Sequence, residues 1–381
     1  MKTKIIQLLT LLMFLIPRFL LAGVSVSHEP QYFFVGTYTN SGSEGIYLFS
    51  LDPKSGKLTN HGLAAKSDNP TFMTLSPTGK ILLAANEIQD KNNRNMGYIE
   101  SFAVNNENHH LSFINKVLSG GADPCYVSVN QSEHVLAANY SGGSAALFNM
   151  DQSGSLSEFT DLKQHVGSGP VKARQAEPHV HSAYFEPSSN RIFVADLGTD
   201  KVAVYLLDER GSKLKNSPFP AIIMPPGSGP RHMAFHPTLK FLYVINEISN
   251  TVSVVSLNKD GSYSILETIS TLPAGYDKPG NCADIHISND GRFLYASNRG
   301  LNSIAIFSVN PLSGRIVQIG QESTRGEIPR NFTLSPNEDF ILVANQNSQN
   351  IVSFRRDAVT GKLEYVDQIK SLKPVCLLFC K

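Results

Sequence analysis

The chain has 381 residues, with 33 Lys plus Arg against 32 Asp plus Glu and a formal charge of +1. So even a balance excludes a basic nucleic-acid footprint, an acidic tail and a polybasic membrane patch. With 41% hydrophobic residues and 28 Gly and 21 Pro spread along its length, the chain can bury a core and is not mainly disordered.

Residues 1–22 begin with Lys2 and Lys4, run through the apolar stretch from Ile5 to Pro17 and, after Arg18, end in Phe19-Leu20-Leu21-Ala22 before Gly23. This reads as a secretory signal peptide, removed from a mature chain of 23–381 that forms one domain. An uncleaved anchor is the alternative, but the apolar run falls short of the ~20 residues a spanning helix needs and Arg18 interrupts it. The protein is therefore expected outside the cytoplasm, periplasmic or secreted, with no membrane association after cleavage.

From Tyr32 onward one pattern recurs: a Pro-led apolar stretch, a turn, a β-rich run and a closing Asn or Asp. Pro70 to Pro77 leads to Ile81–Asn86, and Pro329 to Pro336 leads to Phe340–Asn345; the remaining copies run from Pro124 to Asn139, Pro178 to Asp196, Pro230 to Asn246 and Asn281 to Asn298. The anchors Gly36, Asn86, Asn139, Asp196, Asn246, Asn298 and Asn345 are spaced 47–57 residues apart, about 51 on average. Each is followed by a second apolar stretch and, in several copies, a short Gly-x-Leu strand, as at Gly56–Leu58 and Gly361–Leu363. Four strands per unit, turn residues between them and no 3.6-residue periodicity predict an all-β, seven-bladed β-propeller of four-stranded antiparallel blades. Tyr32–Tyr38 matches the second half of the unit and Pro374–Phe379 the first half. The two are expected to complete one blade and close the ring, hiding edges that would otherwise invite aggregation.

The four cysteines, Cys125, Cys282, Cys376 and Cys380, fit neither a zinc site nor a dense disulfide framework, and buried free thiols are expected.

The repeat explains apolar and turn positions, so charges present in only some copies carry the functional information. The residue opening each innermost strand is read as Val375, Thr71, Cys125, His179, Arg231, Cys282 and Arg330; the residue after each anchor is Thr37, Glu87, Tyr140, Leu197, Glu247, Arg299 and Gln346. In an antiparallel hairpin these two ends are neighbours. His179, Arg231, Glu247, Arg299 and Arg330 are thus expected to converge at one mouth of the central channel, joined by His181 if strand alternation puts it on the same face as His179. Arginines suit an anionic substrate because the guanidinium grips carboxylate or phosphate bidentately, and Glu247 or a His can serve as acid or base. The bland reading is a structural ion-pair network. A metal half-site at His179 and His181, with Asp284 and His286 as partners, is a weak signal amid so many cations. Glu87 shares the position of Glu247 without an Arg nearby and is expected to be structural. The mouth is expected to be wet, so that substitutions there leave the fold intact.

Gly36-Thr-Tyr-Thr39, Asn139-Tyr-Ser-Gly-Gly143, Pro178-His-Val-His-Ser182, Gly227-Ser-Gly-Pro-Arg-His232, Cys282-Ala-Asp-Ile-His286, Ala296-Ser-Asn-Arg-Gly300 and Pro329-Arg-Asn-Phe332 closely resemble the seven-bladed lactonase family. That family includes one type of 6-phosphogluconolactonase and the fungal 3-carboxy-cis,cis-muconate lactonizing enzymes. The resemblance spans about Tyr32 to Phe379. It implies a metal- and cofactor-independent enzyme acting on a small anionic lactone, with catalytic residues carried onto His179 or His181, Arg231, Glu247 and Arg299. Arg330 is added from the repeat as a substrate clamp. Val180 stands where the family usually has Ala. The export signal sits poorly with a cytosolic phosphorylated lactone. Muconate cycloisomerisation and a non-catalytic propeller binding protein or glycan remain the other expectations.

Overall fold

The computed structural model describes residues 29–187 and 189–381, and the expected export segment lies outside them. Seven antiparallel sheets follow one another around the chain. Blade 1 is Pro374–Phe379, Gln31–Thr37, Gly45–Leu51 and Leu58–Lys66, from the innermost strand outward. Blade 2 begins with Pro70–Leu75, blade 3 with Pro124–Val129, blade 4 with Val180–Phe185, blade 5 with Pro230–Phe235, blade 6 with Asn281–Ile287 and blade 7 with Pro329–Leu334. Blade 4 carries an additional two-residue strand, Ile222–Ile223, beside Lys201–Asp208.

Inner strands are buried on both faces because each blade packs between two others. His134–Asn139 and Phe340–Asn345 are buried at every position, whereas the outer strand Leu363–Lys370 is mostly open to solvent. Seven hydrophobic clusters each bridge two adjacent blades. One joins Phe33 and Phe49 of blade 1 to Phe340 and Leu342 of blade 7, and burying a side chain such as Phe340 contributes about 1.5–3 kcal/mol.

The ring closes as expected: Phe33 pairs with Phe379 and Phe34 with Leu378 in antiparallel register. A polar chain reinforces this closure. Asn331 donates from Nδ2 to Asp284 Oδ2 at 2.5 Å and accepts from the Leu377 amide at 2.8 Å, tying blades 6, 7 and 1.

The recurring Asn also has a physical reason. Asn139, Asn298 and Asn345 donate to the carbonyls of Ser119, Thr271 and Thr324, each on the crossover arriving from the preceding blade. The anchor thereby holds the incoming chain at the mouth and places the next residue on its rim.

All four cysteines are free thiols; three are buried and Cys380 is half-buried. Among the described residues no helix is long and apolar enough to cross a membrane.

Candidate active site

Pairing between the first two strands slips once in every blade. In blade 5, Pro230 pairs with Asn246 and His232 with Ile245, leaving Arg231 as the extra residue. Such a bulge re-aims a side chain, here at the channel mouth. The register corrects the expected alignment in two blades. Val180 pairs with Asp196 as Pro230 does with Asn246, so His181, not His179, is the counterpart of Arg231. In blade 6, Cys282 pairs with Asn298, so the corresponding residue is Ala283.

Glu247 is the hub. Its Oε2 lies 2.8 Å from Arg299 Nη2, 3.0 Å from Arg231 Nε and 3.9 Å from His181 Nε2, while Arg174 Nη2 contacts Oε1 at 2.5 Å. Burial pushes the Glu247 carboxyl up, but the guanidiniums of Arg299, Arg231 and Arg174 outweigh it and hold it well below the usual carboxylate range. His181 moves the other way. Burial, then Arg231 and His232, depress it well below the ordinary imidazole value, so it is neutral at pH 7. Arg231 is only 2% exposed, and burial together with Arg299 and Arg330 lowers it to about 10, still cationic at neutral pH.

These positions are therefore not a wet rim, which overturns the expectation that substituting them leaves no buried unpaired charge. Arg231 Nη1 donates to the Ala283 carbonyl at 2.6 Å and lies 3.3 Å from the His232 ring nitrogens. His232 Nδ1 in turn meets Asp284 at 2.7 Å.

His179 lies beside this cluster. Its ring stacks on Tyr140 with centroids 4.4 Å apart, and its Nδ1 is 3.1 Å from the Tyr140 carbonyl. Arg330 faces the hub from blade 7, where it contacts Glu87 Oε2 at 3.1 Å; Glu87 Oε1 accepts from the Tyr38 hydroxyl at 2.7 Å. Glu87 thus has an Arg partner, contrary to expectation, because Arg330, at the repeat position of Arg231 but two blades away from Glu87, reaches it across the ring closure.

Glu87, Cys125, Tyr140, Arg174, His181, Glu247, Arg299 and Arg330 line one pocket of about 210 Å³. Counting Arg231 beneath it, four guanidiniums face two carboxylates and a neutral imidazole, a net charge of +2. Larger grooves, such as one of about 580 Å³ beside Glu186 and Glu209, lie away from this cluster.

Arg174 is the residue that the repeat could not reveal. It belongs to a four-residue helix, Lys172–Gln175, in the crossover from blade 3 to blade 4. Gln175 fixes the helix by donating to the Leu197 carbonyl and to Asp200 Oδ1, each within 2.8 Å. Asp200 also accepts the amides of Gly227 and Gly229. Gly229 has a φ of +66° and precedes Pro230-Arg231, so one carboxylate positions both Arg174 and the entry to Arg231. The signal for Arg174 was the unit from Asn139 to Asp196, the longest of the set at 57 residues.

Among the described residues no three His, Cys, Asp or Glu side chains gather as a metal site. Asp284 and His286, weighed above as metal ligands, bond to each other at 3.1 Å.

The protein is thus a propeller, a closed ring of seven four-stranded blades with a cationic pocket at one mouth. The family model for the seven-bladed β-propeller lactonases matches residues 32–379, and the chain belongs to that family. It is 37% identical over 354 residues to the 6-phosphogluconolactonase of Bacillus subtilis strain 168, covering 91% of this chain and 97% of that protein. It is 38% identical to a 6-phosphogluconolactonase of Formosa agariphila, over 88% of this chain and 95% of that one. Among solved structures, the periplasmic gluconolactonase of Pseudomonas aeruginosa superposes with a TM-score of 0.87 at 32% identity, covering 93% of this chain and 99% of that one.

Proposed function

We propose that the protein hydrolyses a sugar lactone of the 6-phosphogluconolactone type at the pocket between Glu247 and Glu87. The carrying observation is the net charge of +2 around a cavity of about 210 Å³, which suits a sugar ring bearing a phosphate dianion. The named relatives support the same chemistry.

In this reading a water attacks the lactone carbonyl carbon and Glu247 takes its proton. Arg299 and Arg231 stabilise the oxyanion that develops on the carbonyl oxygen. When the tetrahedral intermediate collapses, the bond from that carbon to the ring oxygen breaks. The ring oxygen leaves with a proton and becomes a hydroxyl, giving the open-chain aldonic acid. His181, neutral and 3.9 Å from Glu247, is the group placed to pass that proton. Arg330 and Glu87 hold the far end of the substrate. His179 orients Tyr140 by stacking and has no proton-transfer role.

The reaction needs no metal or cofactor in this scheme. The N-terminal pattern makes the protein an exported one, a reading favoured by the likeness to a periplasmic relative. Because that relative is a gluconolactonase, plain gluconolactone is the second substrate to test.

A panel of 6-phosphogluconolactone, gluconolactone and a muconate, assayed on purified protein with and without chelator, tests the proposal. Turnover of a sugar lactone unaffected by chelator is the expected result. Inertness to both sugar lactones, or turnover of the muconate alone, would overturn it.

A further inference from the structure

The two oxygens of Glu247 are held differently. Oε2 is shared by Arg231 and Arg299, both rooted in blades, with 2% and 14% of their side chains exposed. Oε1 is held by Arg174 at 2.5 Å, and Arg174 is 35% exposed. Its backbone is pinned through Gln175, but its head also bridges to the Tyr140 hydroxyl at 3.3 Å and faces solvent. An anion entering the mouth therefore meets Arg174 before it meets the buried pair.

The cluster is also short of acceptors. Arg231 Nε and Arg299 Nε are buried, and among the described residues neither has an acceptor in hydrogen-bond geometry. One carboxylate cannot satisfy three guanidiniums that each present several donors in a fixed fork.

We propose that Arg174 is an exchangeable cap on Glu247. In the free protein it covers Oε1, the oxygen that a water must reach. A phosphate on the substrate draws the guanidinium to itself, since a dianion offers it more acceptors than the shared carboxylate does. Oε1 is then free to take the proton of water. Arg174 thus couples recognition of the phosphate to exposure of the base and sets the preference for phosphorylated over plain lactone. This rests on the lactone-opening reading above.

The experiment compares wild type, Arg174→Gln and Arg174→Lys on 6-phosphogluconolactone and gluconolactone, with calorimetric titration of 6-phosphogluconate and gluconate alongside. Arg174→Gln is expected to raise KM for the phosphorylated lactone about tenfold to a hundredfold, the scale of one charge-assisted hydrogen bond, and to weaken 6-phosphogluconate binding in parallel. Its kcat on plain gluconolactone should rise, because Oε1 is no longer covered, and an unchanged kcat there would overturn the cap. Arg174→Lys should recover part of the phosphate preference, a point charge replacing a fork. Equal losses on both lactones, or unchanged KM and 6-phosphogluconate binding, would overturn the proposal. A wild type that binds 6-phosphogluconate but opens neither lactone would overturn the hydrolase reading and with it the cap on a base. Loss of that binding in Arg174→Gln would then still support the anion clamp.

Discussion

Glu247 and Glu87 hold the same place in blades 5 and 2, each just after the buried anchor Asn of a second strand, yet their surroundings differ. The Glu247 side chain is 4% exposed among Arg231, Arg299, Arg174 and His181, whereas Glu87 is 19% exposed between Arg330 and Tyr38. A repeat position therefore supplies a location, and the bulge residues around it, from its own blade and its neighbours, decide the chemistry there. Beside Glu247 those residues are His181 and Arg231; beside Glu87 the bulge residue of its own blade is Thr71.

Glu247→Gln tests the contrast most severely. It should lower lactone turnover by about 10²–10⁴-fold, the range for a lost general base. Stability should fall by about 3–5 kcal/mol, because Arg231 and Arg299 are left buried without their carboxylate. Urea melts of the variant check this, and a wild-type midpoint would mean that the arginines have another counter-charge.

The second test uses pH, since buried histidines belong to the Glu247 side. Burial, then Arg231, lowers His232 to about 4 against an ordinary 6.5, and His181 is depressed by the same causes. A depressed imidazole is neutral in the folded protein while the unfolded chain takes up a proton. Its stabilising effect is thus complete above about pH 6.5 and is lost progressively as pH falls toward the folded value. His232→Asn should flatten the stability profile near pH 5 by about one proton, or ~1.4 kcal/mol per pH unit. Glu247 adds a separate loss at lower pH, below the usual carboxylate range, because its folded pKa is depressed. A profile unaltered by His232→Asn would show that His232 is charged in the fold.

Glu87→Gln should be milder. Its carboxylate faces one arginine rather than three, and the pair is mostly buried, with side chains 15% and 19% exposed, so stability should fall by about 1–3 kcal/mol. Turnover should fall about tenfold, chiefly through KM, if this side only holds substrate. Damage equal to that of Glu247→Gln would make the two sides functionally equivalent. The smallest effect is expected from Tyr38→Phe, which removes one hydrogen bond to Glu87 and should cost about 1 kcal/mol or less of stability. A larger loss, read by the same melts, would make Tyr38 the main support of that side.

The repeat itself was legible without coordinates, because blade strands are local: apolar runs, turn residues and an anchor Asn recur along the chain, and a split unit requires closure. The pairing of Pro374–Phe379 with Gln31–Thr37 and the meeting of Arg231, Glu247 and Arg299 follow from that pattern alone. Three features needed the tertiary structure. His181 rather than His179 faces Glu247 because a bulge sets the register of blade 4, and a one-residue slip sends a side chain to the other face. Arg174 enters from a crossover helix, where no repeat position marks it. Arg330 reaches Glu87 across the closed ring, a contact between residues 243 apart in sequence. Each depends on a strand register or on which surfaces meet in the folded ring, and an alternation of apolar and turn residues carries no information about that.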